Sequence, residues 1–247
     1  MITIETLRNR GACQSQVTLF ESFLGGREGV EPTPEVIREA ALFGLNVRWA
    51  KEQGLLTIPD GQIEFKDGHK EWYLHGLKHR ENGPAVEWGC GTKGWYSHGQ
   101  RHREDGPAIE MADGSKAWWI HGKAHREDGP AIEWNDGSKE WWINGQPHRE
   151  SEPAIEYADG TREWWTNGQL HREDGPAIER SDGTKEWYFQ SQLHRDGGPA
   201  VETAYGRKEW YRNGELHRED GPAYESPTGY RVWWVNGRWI RAERRSK

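Results

Sequence analysis

A 23-residue sentence recurs eight times without insertion or deletion between residues 60 and 240, and this fixed period constrains the fold more than any other property of the chain. One unit, read from Gly129, is GPAIEWNDGSKEWWINGQPHRES. His79, His102, His125, His148, His171, His194 and His217 stand 23 apart, with Ile240 in the eighth slot. Trp72, Trp95, Trp118, Trp141, Trp164, Trp187, Trp210 and Trp233 fill a second column. Such spacing is the signature of a repeat architecture in which each unit packs mainly on its neighbours.

Apolar residues make up only 33 % of the chain and charged residues 30 %, a balance that would mean disorder in an aromatic-poor sequence. Sixteen tryptophans exclude that reading and predict a core of stacked aromatic side chains. The net charge of −7 argues against direct nucleic-acid binding, and no stretch approaches the roughly 20 apolar residues of a membrane span. The opening MITIETLRNR lacks the apolar core of a signal peptide, so a soluble cytoplasmic protein is expected. Cys13 and Cys90 are unrelated in repeat position and read as free thiols.

Residues 1–56 follow a different rule and are expected to form a small α-helical N-terminal domain, with the β-hairpin repeat array occupying 57–247. From Ala12, Val17, Phe20, Phe23 and Leu24 recur at three- and four-residue steps until Gly25-Gly26. Thr33-Pro34-Glu35 reads as an N-cap, a first-turn proline and a first-turn acid, and Gly44 as a stop. Asn46 caps a last helix. So small a domain is marginal alone and is expected to dock on the first hairpin, covering its open edge.

Within a repeat, the turn residues choose the register. A two-residue turn at Asp136-Gly137 would set Glu133 against Glu140, whereas a three-residue loop with Gly137 in the left-handed region sets Glu133 against Lys139. Glu fills the first slot and Lys or Arg the second in all eight units, so the three-residue register is predicted. Asn144-Gly145 suits a type I′ turn, placing Trp141 opposite His148 and Glu140 opposite Arg149. Asp-Gly-Pro is expected to be a bend, leaving one hairpin per unit. The expected fold is mainly β, eight tandem hairpins in an elongated twisted antiparallel sheet about 80 Å long, with Trp141 on one face and Trp142 on the other.

Aromatic-x-Asn-Gly-x-x-His followed by Gly on a 23-residue period resembles MORN-type hairpin repeats, and more closely the variant of bacterial toxin-immunity and phage proteins. The resemblance covers residues 60–240. Arg-Glu-Asp-Gly-Pro-Ala replaces the usual Gly-x-Gly end and Trp-Trp or Trp-Tyr replaces Tyr-x-Gly, so the lipid-binding role of eukaryotic members does not carry over. GACQSQVTLFESF is similar to a helical lead segment ahead of other repeats in phage and bacterial proteins. Together these imply a protein of a mobile element, located in the host cytoplasm if phage-encoded.

The histidine column invites a metal, but ligands about 2 Å from one ion cannot come from ladder positions roughly 10 Å apart. Repeated Glu and Arg columns offer no unique desolvated constellation for catalysis. Neither an enzyme nor a cofactor is expected, and Glu133, Lys139, Trp141, Trp142, His148 and Arg149 read as structural ladders. Function is sought where the repeat varies: Trp88, Met111, Trp134, Tyr157 and Arg180 in one column, Phe189 and Arg212 in another, and Tyr205 at a local break. Solvent-facing drift accounts for most such variation; the competing reading is a partner-binding stripe, since exposed aromatics beside arginine are the usual anchors of protein interfaces. Three functions follow: an inhibitor binding a host protein or protein complex, as an antitoxin or anti-defence protein would; a self-associating structural scaffold; and an acidic nucleic-acid mimic. The oligomeric state and the functional face stay open.

Overall fold

The computed structural model describes residues 1–244; the last three residues of the basic tail lie outside the described residues. The fold is mainly β, with tandem antiparallel hairpins on a 23-residue period behind short N-terminal helices. It divides into two compact units, Met1–Lys123 and Ala124–Lys247. Among the described residues no helix is long and apolar enough to cross a membrane.

Unit 1 begins with four helices, α1 (Ile4–Asn9), α2 (Gln14–Leu24), α3 (Pro34–Phe43) and α4 (Val47–Glu52). Their ends obey local chemistry. Thr33 Oγ1 accepts the Val36 N–H at 3.4 Å with Pro34 in the first turn, and Asn46 Oδ1 accepts the Trp49 N–H at 3.0 Å. Gly44, at φ +105°, ends α3 in the left-handed region. A two-residue strand, Ile2–Thr3, pairs with Gly29–Val30 and ties the N-terminus down, a contact no periodicity announced.

The helices and the first hairpin share one core. Phe20, Leu24, Ile37, Ala41 and Val47 are buried together with Ile63 and Tyr73. Strand Gly61–Glu64 pairs with Lys70–Leu74 on one side, and its other side meets α3: the Arg38 guanidinium donates to Gln62 O (3.2 Å) and Asp60 O (3.0 Å). An edge that would otherwise present bare carbonyls is thus covered.

The repeat is clearest in unit 2. Ile132–Glu133 pairs with Lys139–Glu140 through the three-residue loop, with Glu133 opposite Lys139 and Gly137 at φ +94°. Lys139–Glu140 then pairs with Ile155–Glu156 of the next repeat, and the pattern continues to Arg238–Arg244. Asn144 (φ +53°) and Gly145 (φ +82°) form the second turn, which requires positive φ at both positions.

One expectation is corrected here. The unit does not stay in one sheet, because Trp141 leaves it and Trp142–Ile143 pairs with Gln146–Pro147 in a separate two-stranded ribbon, whereas in the last repeat Trp233 stays in the sheet opposite Arg241. The departure costs no backbone hydrogen bond: Trp141 N–H donates to Ala154 O of the next repeat (2.7 Å) and Trp141 O accepts from His148 (3.0 Å). Two reversals per repeat restore the chain direction. So close an approach leaves no room beside the alanines, and Ala131, Ala154, Ala177, Ala200 and Ala223 are fully buried.

Consecutive repeats in unit 2 are also joined between ribbons. Gly145, Gly168 and Gly214 donate to Ala124, Pro147 and Leu193 carbonyls at 2.8 to 3.0 Å. Nδ1 of His125, His148, His194 and His217 accepts the turn N–H of Asn144, Asn167, Asn213 and Asn236, each at 3.1 Å. The histidine column is therefore a row of acceptors, with the ring proton on Nε2. Ser138 and Thr161 hydroxyls similarly accept from Ala158 and Ser181 of the following repeats.

Candidate functional site

The arginine of each repeat is the hub of its bend. Arg149 lies with Cζ 3.9 Å from the Trp141 ring centroid, and its Nη1 donates to Pro153 O (3.2 Å) and Glu156 Oε1 (3.3 Å). A planar guanidinium stacks on an indole and still has in-plane donors for carbonyl and carboxylate, which lysine lacks. One sequence expectation falls with this arrangement. Glu140 does not face Arg149; it stands across from Ile132 and Ile155 on the other face of the sheet. Glu133 shares the register of Lys139, yet its carboxylate is held by Arg126 at 3.0 Å while Lys139 stays exposed.

Glu140 instead anchors the variable column. Trp134 Nε1 donates to its Oε1 (2.7 Å) and Trp142 Nε1 to its Oε2 (2.8 Å). One repeat on, Tyr157 Oη and Trp165 Nε1 donate to Glu163. Next, Arg180 and Tyr188 converge on Glu186, and then Arg207 and Tyr211 on Glu209. Burial and the neighbouring Glu186 push Tyr188 up to about 12, and burial and Glu209 do the same to Tyr211. A half-buried carboxylate thus pins the polar edge of each aromatic while the ring remains outside. Trp134 is 39 % exposed and Tyr157 43 %.

In unit 1 this arrangement is altered twice. Gly94 and Ala117 stand where the later repeats have Glu. A Cβ on Gly94 would lie 2.9 Å from the Tyr96 ring and 3.1 Å from Trp88, so the Trp88 indole occupies the carboxylate's space. At Ala117 the Trp119 Nε1 is left buried without a hydrogen-bond partner. Restoring Glu should therefore act in opposite directions. Gly94→Glu is expected to destabilise unit 1 by about 1–3 kcal/mol through overpacking, and Ala117→Glu to stabilise it by about 1 kcal/mol by giving Trp119 an acceptor. Urea midpoints of the two single variants check both signs.

The sequence-predicted binding residues fall into two groups. Trp134, Tyr157 and Arg180 occupy equivalent sheet positions in consecutive repeats of unit 2, and Arg180 shares a shallow cleft with Tyr205, which is 81 % exposed. Phe189 and Arg212 lie on ribbons, each in the groove between its own ribbon and the preceding repeat's bend. Trp88 and Met111 are half-buried in unit 1. Trp142 lies with Glu140, whereas Trp141 and His148 belong to the hydrogen-bonded ribbon base.

Sequence reasoning missed one cluster. Glu71, 1 % exposed, accepts from Tyr73 Oη and meets Lys78 Nζ at 2.7 Å, Arg48 Nη2 at 3.0 Å and His69 Nε2 at 3.1 Å. Burial alone would raise this carboxyl, but the hydrogen bonds from Lys78 and Tyr73 and the charges of Lys78 and Arg48 outweigh it and hold it at about 2. Glu71 stands directly across from Ile63, so the two share the inward face of this hairpin.

Cys13 and Cys90 are free and exposed. Among the described residues no three His, Cys, Asp or Glu side chains gather as metal ligands. Compared with known proteins, the chain matches no family model, and no curated protein matches it significantly.

Proposed function

We propose that the chain is a non-enzymatic, MORN-like protein-binding repeat protein of the toxin-immunity or phage type, acting in the host cytoplasm as an inhibitor of a host protein or defence complex. The reading is carried by one observation. In unit 2 Trp134 and Tyr157 present half-exposed rings at equivalent positions of successive repeats, with their polar atoms already tied to Glu140 and Glu163. Rings held in place before binding lose little entropy on contact, which is what interface anchors require.

Expression of the tagged protein in a bacterial host, followed by mass spectrometry of co-purifying material, is expected to yield one stoichiometric host protein or complex. The double variant Trp134→Ala/Tyr157→Ala should lose it while keeping the wild-type circular dichroism spectrum. Retention of the partner by that variant would remove the stripe from the interface.

A self-associating scaffold is favoured by a different observation. Among the described residues, Arg238–Arg244 is a seven-residue strand paired only with Tyr230–Val235, with Trp239 and Ile240 exposed. Light scattering on the same sample separates the two: a partner-free oligomer supports the scaffold, and a monomer excludes it.

A further inference from the structure

The ribbon ladder of unit 2 is altered at one junction, where Ser191 N–H still donates to Leu170 O (2.9 Å) and Leu170 N–H donates to Ser191 Oγ (3.1 Å). The arginine N–H of each neighbouring repeat bonds the next repeat's ribbon, as in Arg149 to Trp165 O (3.1 Å) and Arg195 to Tyr211 O (3.4 Å). The equivalent bond from Arg172 to Tyr188 O is absent, and so is the turn bond from Gln190 N–H to the His171 ring. His171 Nδ1 is buried without a partner, whereas the same atom of His125, His148, His194 and His217 is used. Phe189 sits in this gap, its ring 5.0 Å from His171 and 6.0 Å from His194, and is 48 % exposed.

Phe189 lines an open groove of about 740 Å³ with Pro176 and Tyr188 on its walls. Its rim carries Glu173 and Asp196, whose side chains are 89 % and 92 % exposed. The nearby arginines do not neutralise them: Arg172 and Arg195 are stacked on Trp164 and Trp187 and donate inward to Glu179 and Glu202. The groove therefore has an aromatic floor and a rim of exposed carboxylates, with His171 Nε2 3.9 Å from Glu173 and His194 Nε2 3.6 Å from Asp196. One repeat on, the equivalent groove is lined by Arg212, a cation of the chain itself, in the position Phe189 holds here.

We infer that the Phe189 groove docks an arginine of an extended basic segment in a protein partner. This rests on the protein-binding reading above and names the chemistry of the partner. A guanidinium stacks on the Phe189 ring and forks towards Glu173 or Asp196. The chain uses the same combination internally, with Arg172 over Trp164 at 4.0 Å and bonded to Asp174 at 2.9 Å. Lysine, a point charge without a planar face, fits the site less well.

The test uses a fluorescein-labelled (Gly-Gly-Arg)3 peptide, its lysine counterpart and its glutamine counterpart, titrated with the full chain at low and physiological salt. The arginine peptide is expected to bind several-fold tighter than the lysine peptide, and the glutamine peptide not at all. Phe189→Ala and Glu173→Gln/Asp196→Asn should each weaken it by about tenfold. Glu127→Gln, which removes an equally exposed carboxylate from another repeat of unit 2, should leave binding unchanged. No binding at low salt, or equal loss in Glu127→Gln, overturns the inference, the latter by showing general attraction to an acidic protein. If a host partner is captured and then lost by Trp134→Ala/Tyr157→Ala but kept by Phe189→Ala, the protein-binding reading stands and this groove assignment falls. If the peptide binds as described and no host protein co-purifies, the groove stands and the inhibitor reading falls.

Discussion

Replacing Glu71 with glutamine is expected to destabilise unit 1 by roughly 3–5 kcal/mol, the cost of removing one partner from a buried ion cluster. The loss is large because Lys78 and Arg48 converge on this single carboxylate and would be left facing each other. Glutamine keeps the shape and an acceptor, so the variant isolates the charge. The pH dependence has a definite sign. A carboxyl held at about 2 in the folded chain, against an ordinary 4.5, contributes stability that is fully present above pH 4.5 and lost as the pH falls towards 2. That shift corresponds to about 3 kcal/mol. Urea titrations of the wild type and Glu71→Gln between pH 7 and pH 2 should therefore converge as the solution is acidified. A gap that stays constant down to pH 2 would show that Glu71 is not ionised in the folded state.

Trp164→Ala is expected to cost about 3–5 kcal/mol in unit 2, the range for deleting a buried indole. Trp164 is 8 % exposed and carries Arg172 on its ring. Without it the guanidinium that organises the Asp174-Gly175-Pro176 bend loses its platform, although its bonds to Glu179 and Pro176 O remain. Since repeats are stabilised by their neighbours, the damage should be local. Hydrogen exchange is expected to accelerate at Trp164, His171 and Ala177 amides first, and the amides of Tyr224–Glu225 should keep their protection. Uniform acceleration through unit 2 would mean that the array unfolds as one block.

Much of this fold is legible in the sequence because the period is exact and the turn residues have narrow conformational preferences. Opposed charges at Glu133 and Lys139 chose the correct hairpin register, and Asn144-Gly145 announced the second turn. What sequence did not show was the departure of Trp141 from the sheet. That depends on a bond to Ala154 in the next repeat, and alternation within one unit carries no information about it. The error propagated: continuing the Asn144-Gly145 register past Trp141 set Glu140 against Arg149, whereas the break at Trp141 puts it under Trp134 and Trp142. The candidate surface residues were found as variable columns, but their anchoring to Glu163 and Glu186 required the cross-strand geometry. The unused nitrogen of His171 could be located only by comparing repeats in space.

Most of the bonds that join one repeat to the next run between the same positions. Arg149 reaches Glu156, and Arg172 reaches Glu179, by identical seven-residue steps. Removing 23 residues anywhere inside unit 2 would bring together a donor and an acceptor that already know one another's geometry, whereas removing 22 would mismatch every column downstream. A change of length by whole 23-residue units therefore keeps these bonds in register, whereas a change of a few residues does not.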